Sequence, residues 1–389
     1  MTEAEAVTQD PSISKRREVP PGRQPASGVL FGLFLAVLGL ISFHLFRAPI
    51  YDMDSIQYMG NALLMEETDP VRLQQQVYSE LRRTVPKSAL DPLLGSEPGA
   101  PGDQNRSRHE RATNPYRFAE FLPFFAIRPL YNQTLYLVSR SGIGLVRSGI
   151  LISVGSYFLL GVLLFVWVRA HAGPLLSFLA SVLTMMSPPL TGVGRDTTSD
   201  ALASLVAFAS LYLIFERRLL APGLVLLLAS IYFRTDFVVL AGPVILLCWL
   251  RGRLLFWQAA VLSLVAVFSV LLINHFAGDY GVKMLYYRNF VGTPVAPGEM
   301  TVQFSAHDYV SAFRSGITKA ADSFFLPFLL LGVIGLRSGR VRPLLAVTLA
   351  YVALHFLILP NWQERWVAVF YLSTAICAAA PQETPFAPG

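Results

Sequence analysis

The sequence is poor in charge, in cysteine and in histidine. Only 14% of its 389 residues are Asp, Glu, Lys or Arg, against about 25% in soluble domains, which excludes an ordinary water-soluble fold. Its 2 cysteines, Cys248 and Cys377, both fall inside apolar runs, so they make neither a disulfide framework nor a zinc site. The 6 histidines are scattered and form no metal cluster. A P-loop, a G-x-S-x-G elbow and a dinucleotide-binding glycine pattern are all missing, which argues against soluble nucleotide chemistry. No convincing internal repeat is present, whereas many transporters are built from repeats. The first apolar run lacks a small-residue cleavage site and is too long for a signal-peptide core. It reads as a retained first span.

What the chain does have is apolar length. Hydrophobic residues make up 53% of it, the mean hydropathy is +0.50, and several runs are long enough to cross a bilayer. About ten spans are expected, at 28–46, 149–168, 174–190, 200–215, 219–233, 237–250, 254–275, 324–336, 343–360 and 366–380. Residues 28–380 thus form one membrane domain. Before it lies a polar tail, 1–27, read as disordered. After it lies a short tail, 381–389. Two long polar regions interrupt the spans, at 47–148 and 276–323. In the first, Ser55–Glu67 reads as a helix. Residues 84–115, rich in Pro, Gly, Ser and Asp, read as a mobile loop, and 118–138 as an amphipathic segment on the membrane face, interrupted at Arg128-Pro129.

The net charge of +6 follows topology rather than nucleic-acid binding. Lys15, Arg16, Arg17 and Arg23 place the N-terminus in the cytoplasm by the positive-inside rule. The connections at Arg169, Arg217-Arg218, Arg251/Arg253 and Arg337/Arg340/Arg342 then fall on the same side. This parity requires that Leu219–Leu250 be two spans. A single helix there would be about 48 Å long, against a hydrocarbon core of about 30 Å. Two short spans meeting at Arg234-Thr235-Asp236 imply local thinning or a turn below the membrane surface.

The external side collects the ionisable residues. Asp52 and Asp54 follow the first span directly, and Arg128 lies further along the same loop. Arg195, Asp196 and Asp200 follow the third span, and Arg234 and Asp236 sit in the turn between two short spans. The second loop adds Tyr286, Tyr287, Arg288, His307 and Asp308. Gln363, Glu364 and Arg365 precede the last span. Ionised groups at a hydrocarbon boundary are costly unless paired or functional, and both options are open. Asp52 and Asp54 serve either as helix caps or as a base at the membrane face. The arginines match phosphate oxygens, or else neutralise their neighbours as Arg195–Asp196, Arg234–Asp236 and Arg365–Glu364.

Five stretches together resemble the GT-C superfamily of integral-membrane glycosyltransferases. Asp54-Ser55-Ile56-Gln57-Tyr58 looks like the acidic motif after the first span, with Ser55 where many members carry a second acid. Ser187-Pro188-Pro189 and Thr198-Ser199-Asp200-Ala201-Leu202 look like the third-span exit and the start of the next span. Arg234-Thr235-Asp236 resembles the arginine-bearing turn of polyprenol-phosphate-dependent members, and Asn361-Trp362-Gln363-Glu364-Arg365-Trp366 a late turn before the final apolar segment. The likeness covers roughly residues 28–380. The soluble C-terminal domain of some members is not expected here, and the acids stand as Asp-x-Asp rather than as an adjacent pair. Residues 52 and 54 of one helix would point to nearly opposite faces, so one of them is expected at the site.

The resemblance implies an all-α, polytopic bundle with a long first external loop. Its activity would be transfer of a sugar from a polyprenyl-phosphate donor to a glycan, lipid or protein acceptor at the external face of a bacterial inner membrane. Asp54, or else Asp52, would be the base. Arg365 and Arg234, with Arg195 a further candidate, would hold the phosphate, and Tyr58, Asp200, Asp236, His307 and Glu364 would line the substrate site. Besides the lipid-linked donor, membrane lipids are the expected partners, and nucleic acid is not. No metal or other cofactor is expected. The alternative from another class is a transporter or flippase for a lipid-linked saccharide or anionic lipid.

Overall fold

The computed structural model describes residues 24–278, 280–336 and 338–381. Most of both expected tails lies outside the described residues, including Lys15, Arg16, Arg17 and Arg23. Arg337 of the last basic turn lies outside them too. The described residues form helices and no strand, apart from an isolated bridge between Ile50 and Asp196.

Helix α1, Gln24–Arg47, leads into a layer of seven short helices: α2 Met53–Leu63, α3 Pro70–Thr84, α4 Lys87–Leu93, α5 Gly102–Thr113, α6 Pro115–Phe121, α7 Pro123–Ala126 and α8 Pro129–Arg140. The bundle then runs through α9 Leu145–Arg169, α10 Pro174–Met186, α11 Pro188–Arg195, α12 Asp200–Leu211, α13 Leu220–Phe233, α14 Val238–Leu250 and α15 Phe256–Ala277. After it come α16 Gly281–Phe290, α17 Ala306–Ala321, α18 Phe325–Gly335, α19 Arg342–Ile358 and α20 Ala368–Ala379. Each of the ten apolar segments contains a helix. Three helices, α1 over Gly28–Arg47, α9 and α15, are long and apolar enough to cross a membrane. Up to five candidates result if the bent pairs α10–α11 (61°) and α17–α18 (71°) are each one broken span. The first bend falls at Ser187-Pro188-Pro189, where proline cannot continue the hydrogen-bond ladder. Helix α13 has 14 residues, about 21 Å of rise, short of a full hydrocarbon core.

Helix α9 is the axis of the bundle. Its Phe165 packs on Phe31 and Phe34 of α1, and its Trp167 on Phe208 of α12. The Tyr157 hydroxyl donates to the Met185 carbonyl at 2.6 Å. At Gly194 a Cβ would lie 2.8 Å from both Leu45 and Tyr157, so only glycine lets α11 approach α1 and α9 this closely. By contrast α1 and α15 leave large apolar side chains such as Leu40, Phe43, Leu264 and Phe276 exposed, as lipid-facing helices do.

One expectation is overturned. Residues 84–115 are not a loop but largely helical, as α4 and α5. Helix α5 contains no large apolar residue, so hydropathy carried no signal of it. Its buried face is Ser107, Arg108 and Arg111, and polar contacts fix it. Gln74 of α3 donates to the Arg111 and Ala112 carbonyls at 3.1 and 2.9 Å, and the Ser107 hydroxyl donates to the Pro294 carbonyl at 2.9 Å.

Candidate functional site

The chain leaving α1 crosses the α11–α12 corner. The Ile50 amide donates to the Arg195 carbonyl at 2.9 Å, and Arg195 Nε to the Ala48 carbonyl at 2.7 Å. This crossing sets residues 52–54 beside 196–200. Asp52 is then the N-cap of α2, in extended backbone, accepting from the Asp54 amide at 3.3 Å. Because Asp52 is outside the helix, the opposite-face expectation fails, and both carboxylates line the same cavity of about 440 Å³. Helix α2 is held from behind by Tyr58, which is buried edge-on against Phe125 and Tyr131. A Cβ on Gly60 would lie 2.6 Å from Leu122, so α2 sits flush on the α6–α7 corner.

Two arginines knit the carboxylates. Arg365 Nη1 donates to Asp52 at 2.9 Å and to Asp196 at 2.8 Å, while its Nη2 is 3.5 Å from Asp54 and its Nε 3.3 Å from Asp200. Arg234 is 3% exposed. It donates twice to Asp236, at 2.8 and 2.6 Å, and once to Asp200 at 2.5 Å. His355 Nε2 lies 2.9 Å from Asp236. Of the three sequence-adjacent pairs, only Arg234–Asp236 forms. Asp196 pairs with Arg365 instead, and Glu364 accepts from the Phe324 amide at 2.7 Å.

The cavity thus gathers Asp54, Asp52, Arg365, Arg234, Tyr58, Asp200 and Asp236. Arg195, His307 and Glu364 do not line it; His307 is exposed near the start of α17. Gln57 is fully buried, and neither of its amide atoms has a hydrogen-bond partner among the described residues.

Four other arginines line the cavity, Arg108, Arg111, Arg128 and Arg288, and the sequence pattern gave none of them a particular role. Arg128 lies 5.2 Å from the Tyr58 ring, Arg288 4.5 Å from Phe125, and Arg111 4.2 Å from Phe121. Rings occupy guanidinium faces and leave the N–H edges free. The Arg128 guanidinium has no hydrogen-bond acceptor among the described residues. Among the described residues the one carboxylate in ion-pair contact with Arg288 is Asp54, at 3.4 Å. Arg128, Arg288 and Arg111 contrast with Arg234 and Arg365, whose donors are taken up by carboxylates.

Asp54 is the least bonded of the acids. Its carboxylate oxygens find side-chain donors only at 3.4 and 3.5 Å, so their lone pairs are open to a ligand. Burial pushes its carboxyl above the usual range and Asp52 adds to the rise, while Arg288, Arg365 and Arg128 oppose it. Burial also pushes Asp196 up to about 7, against the pull of Arg365. Among the described residues no group of three or more His, Cys, Asp or Glu side chains is arranged to hold a metal ion.

A second pocket of about 450 Å³ is almost wholly apolar, lined by residues including Phe325, Leu349, Val352, Phe356 and Trp362. The extended stretch before the last helix separates the two. Asn361 and Gln363 face the polar cavity, and Trp362 between them faces the apolar one, as period-two backbone dictates.

No family model, curated protein or solved structure matches the chain. The site is therefore read from its own geometry.

Proposed function

We propose that the protein is a GT-C-type membrane glycosyltransferase of about ten spans. In this reading its N-terminus is cytoplasmic, and its charged cavity opens to the external face of a bacterial inner membrane. The acceptor hydroxyl attacks the anomeric carbon of a polyprenyl-phosphate-linked sugar. As the new C–O bond forms, the bond from that carbon to the phosphate oxygen breaks. The hydroxyl proton passes to Asp54, and polyprenyl phosphate leaves with the electron pair.

The observation that carries this reading is the pairing of an under-bonded, elevated carboxylate at Asp54 with an arginine, Arg128, whose N–H edge is unclaimed among the described residues. A general base needs free lone pairs and a pKa nearer the working pH. A leaving phosphate needs preorganised cations in a site shielded from water. Arg128 is the foremost phosphate ligand in this scheme. Arg365 and Arg234 act indirectly, holding Asp52, Asp196, Asp200 and Asp236 in place. The apolar pocket beside Trp362 offers room for the first isoprene units, one residue away from the polar cavity.

The test is turnover in detergent. A synthetic polyprenyl-phosphate sugar incubated with purified protein and a mixed pool of candidate acceptors should release polyprenyl phosphate. A protein that binds the donor but never cleaves it belongs instead with transporters or flippases, for which detergent abolishes any vectorial readout.

A further inference from the structure

The cavity has two cationic ends, with Asp54 between them. At one end Arg128 neighbours Arg234, Asp200 and Asp236. At the other, Arg288 and Arg111 neighbour each other and Asp54. The second end is built by elements far apart in sequence. Helix α5 supplies Arg111 and Gln104, α16 supplies Arg288, and Thr293 follows it. The Ser107 to Pro294 hydrogen bond clamps the two segments together.

This second end is under-compensated. Arg111 is 4% exposed. Its Nε donates to the Ser107 carbonyl at 3.1 Å, and its terminal nitrogens have no hydrogen-bond acceptor among the described residues. Burial lowers it to about 10, so it stays charged at neutral pH. Arg288 has only the long contact to Asp54. Arg108 differs, since it is already paired with Glu97. Arg111 is buried and Arg288 half-buried, and a guanidinium taken out of water without a close anion is destabilising. A ligand anion would offset that cost.

Resting on the glycosyl-transfer reading, we propose that the Arg111–Arg288 end is the acceptor subsite and that the acceptor is an anionic saccharide. Its carboxylate or phosphate pairs with these two guanidiniums while a nearby hydroxyl meets Asp54. The geometry limits the spacing of the two groups. With Arg288 Nη2 3.4 Å from Asp54 Oδ1, two ordinary hydrogen bonds reach no more than roughly 9 Å between hydroxyl and anion. The charged group therefore sits on the reacting sugar or its neighbour. Gln104 and Thr293 line the same end and suit the remaining hydroxyls.

The inference is tested by binding rather than turnover, with the full chain in nanodiscs and no donor present. The probes are a glucuronic-acid disaccharide, a sugar-phosphate disaccharide and an uncharged disaccharide, with polyprenyl phosphate measured separately. At least one acidic probe should bind ten times more tightly than the neutral one, and which acid wins identifies the source of the anion. Arg111→Gln should erase that preference while leaving polyprenyl phosphate binding within twofold. If Arg111→Gln misfolds, Arg288→Gln must erase the preference in its place. Should both misfold, the wild-type preference must still collapse as salt rises from 0.05 to 0.5 M, roughly tripling the screening. Equal binding of acidic and neutral probes overturns the proposal, as does a preference that survives these changes. Polyprenyl phosphate binding without an acidic preference sinks this inference alone. Acidic preference without any polyprenyl phosphate binding sinks the parent reading and leaves the anion site standing.

Discussion

Asp54→Asn separates a base from a cap, because the cap of α2 is a different residue from the proposed base. The cap of α2 is Asp52, which accepts from the Asp54 backbone amide. That bond does not involve the Asp54 side chain. What Asn at 54 loses is charge, and its two charge contacts are long, at 3.4 and 3.5 Å. Burial already disfavours the ionised form there. Neutralising it leaves Arg288 without its carboxylate, but over a long, part-exposed contact, so it should cost roughly 1–2 kcal/mol, less than loss of a close buried pair. The rate should respond quite differently. Losing a general base removes 10²- to 10⁴-fold, in round numbers, or about 3–5 kcal/mol on the barrier. Asp52→Asn retains capping, since Asn caps about as well as Asp, and it breaks one of several contacts to Arg365. Its expected loss is about tenfold or less. The assay is transfer from a synthetic polyprenyl-phosphate sugar, with thermal unfolding of the same preparations. Full activity in both variants, or equal losses matched by equal destabilisation, would refute the reasoning and reduce the acidic motif to structure.

Other outcomes follow from the same geometry. Arg234→Ala should behave as a folding variant, because removing a buried partner of Asp200 and Asp236 costs about 3–5 kcal/mol; denaturant melts should show part of this restored in the Arg234→Ala/Asp236→Ala double variant. Arg128→Gln should raise donor KM at least tenfold with the unfolding midpoint within a few degrees, and an unchanged KM would remove Arg128 from the phosphate site. Activity should fall as pH drops through the elevated pKa of Asp54, since the base must be ionised. Asp196, which stays protonated in the folded protein up to about 7, favours folding below its ordinary carboxylate range, and that contribution is lost as pH rises toward 7. Asp196→Asn should flatten stability over that window, as pH-dependent melts would reveal. A cysteine placed at residue 100 should label from outside intact cells, with little background because Cys248 and Cys377 are buried.

The helices of the bundle were legible because apolar runs punctuated by basic turns carry their own boundaries. The break at Ser187-Pro188-Pro189 was not legible as one, since the expected span runs over 174–190, although its prolines mark the place where the helix bends by 61°. Asp54 and Arg365 were reachable from their positions at the ends of spans. The partner of Arg365 was not. Glu364 is adjacent in sequence, yet the acids it meets are 169 and 313 residues away, and only packing decides such a pairing. Arg111 was hidden for another reason: helix α5 buries arginines on Phe121 and on backbone carbonyls, so it lacks the apolar stripe that marks a helix in sequence. The weak signal available was Pro101 before the first turn and Asp103 within it, a start pattern without a hydrophobic follow-through.

The wiring of Arg365 bears on how the protein is made. Asp52, Asp54 and Asp196 reach the membrane early in synthesis, while their shared cation arrives 169 residues after Asp196. At about 5–20 residues per second, that is a delay of roughly 10–30 s. Throughout it, the three carboxylates cannot be drawn together, and the cavity has no reason to close. A ribosome-bound chain therefore lacks the finished cavity. Its carboxylates are bridged in one step, when the turn before the last helix delivers its guanidinium. A chain stalled before that point would leave Asp52 and Asp196 without their cation, a feature by which a protease could tell unfinished copies from finished ones.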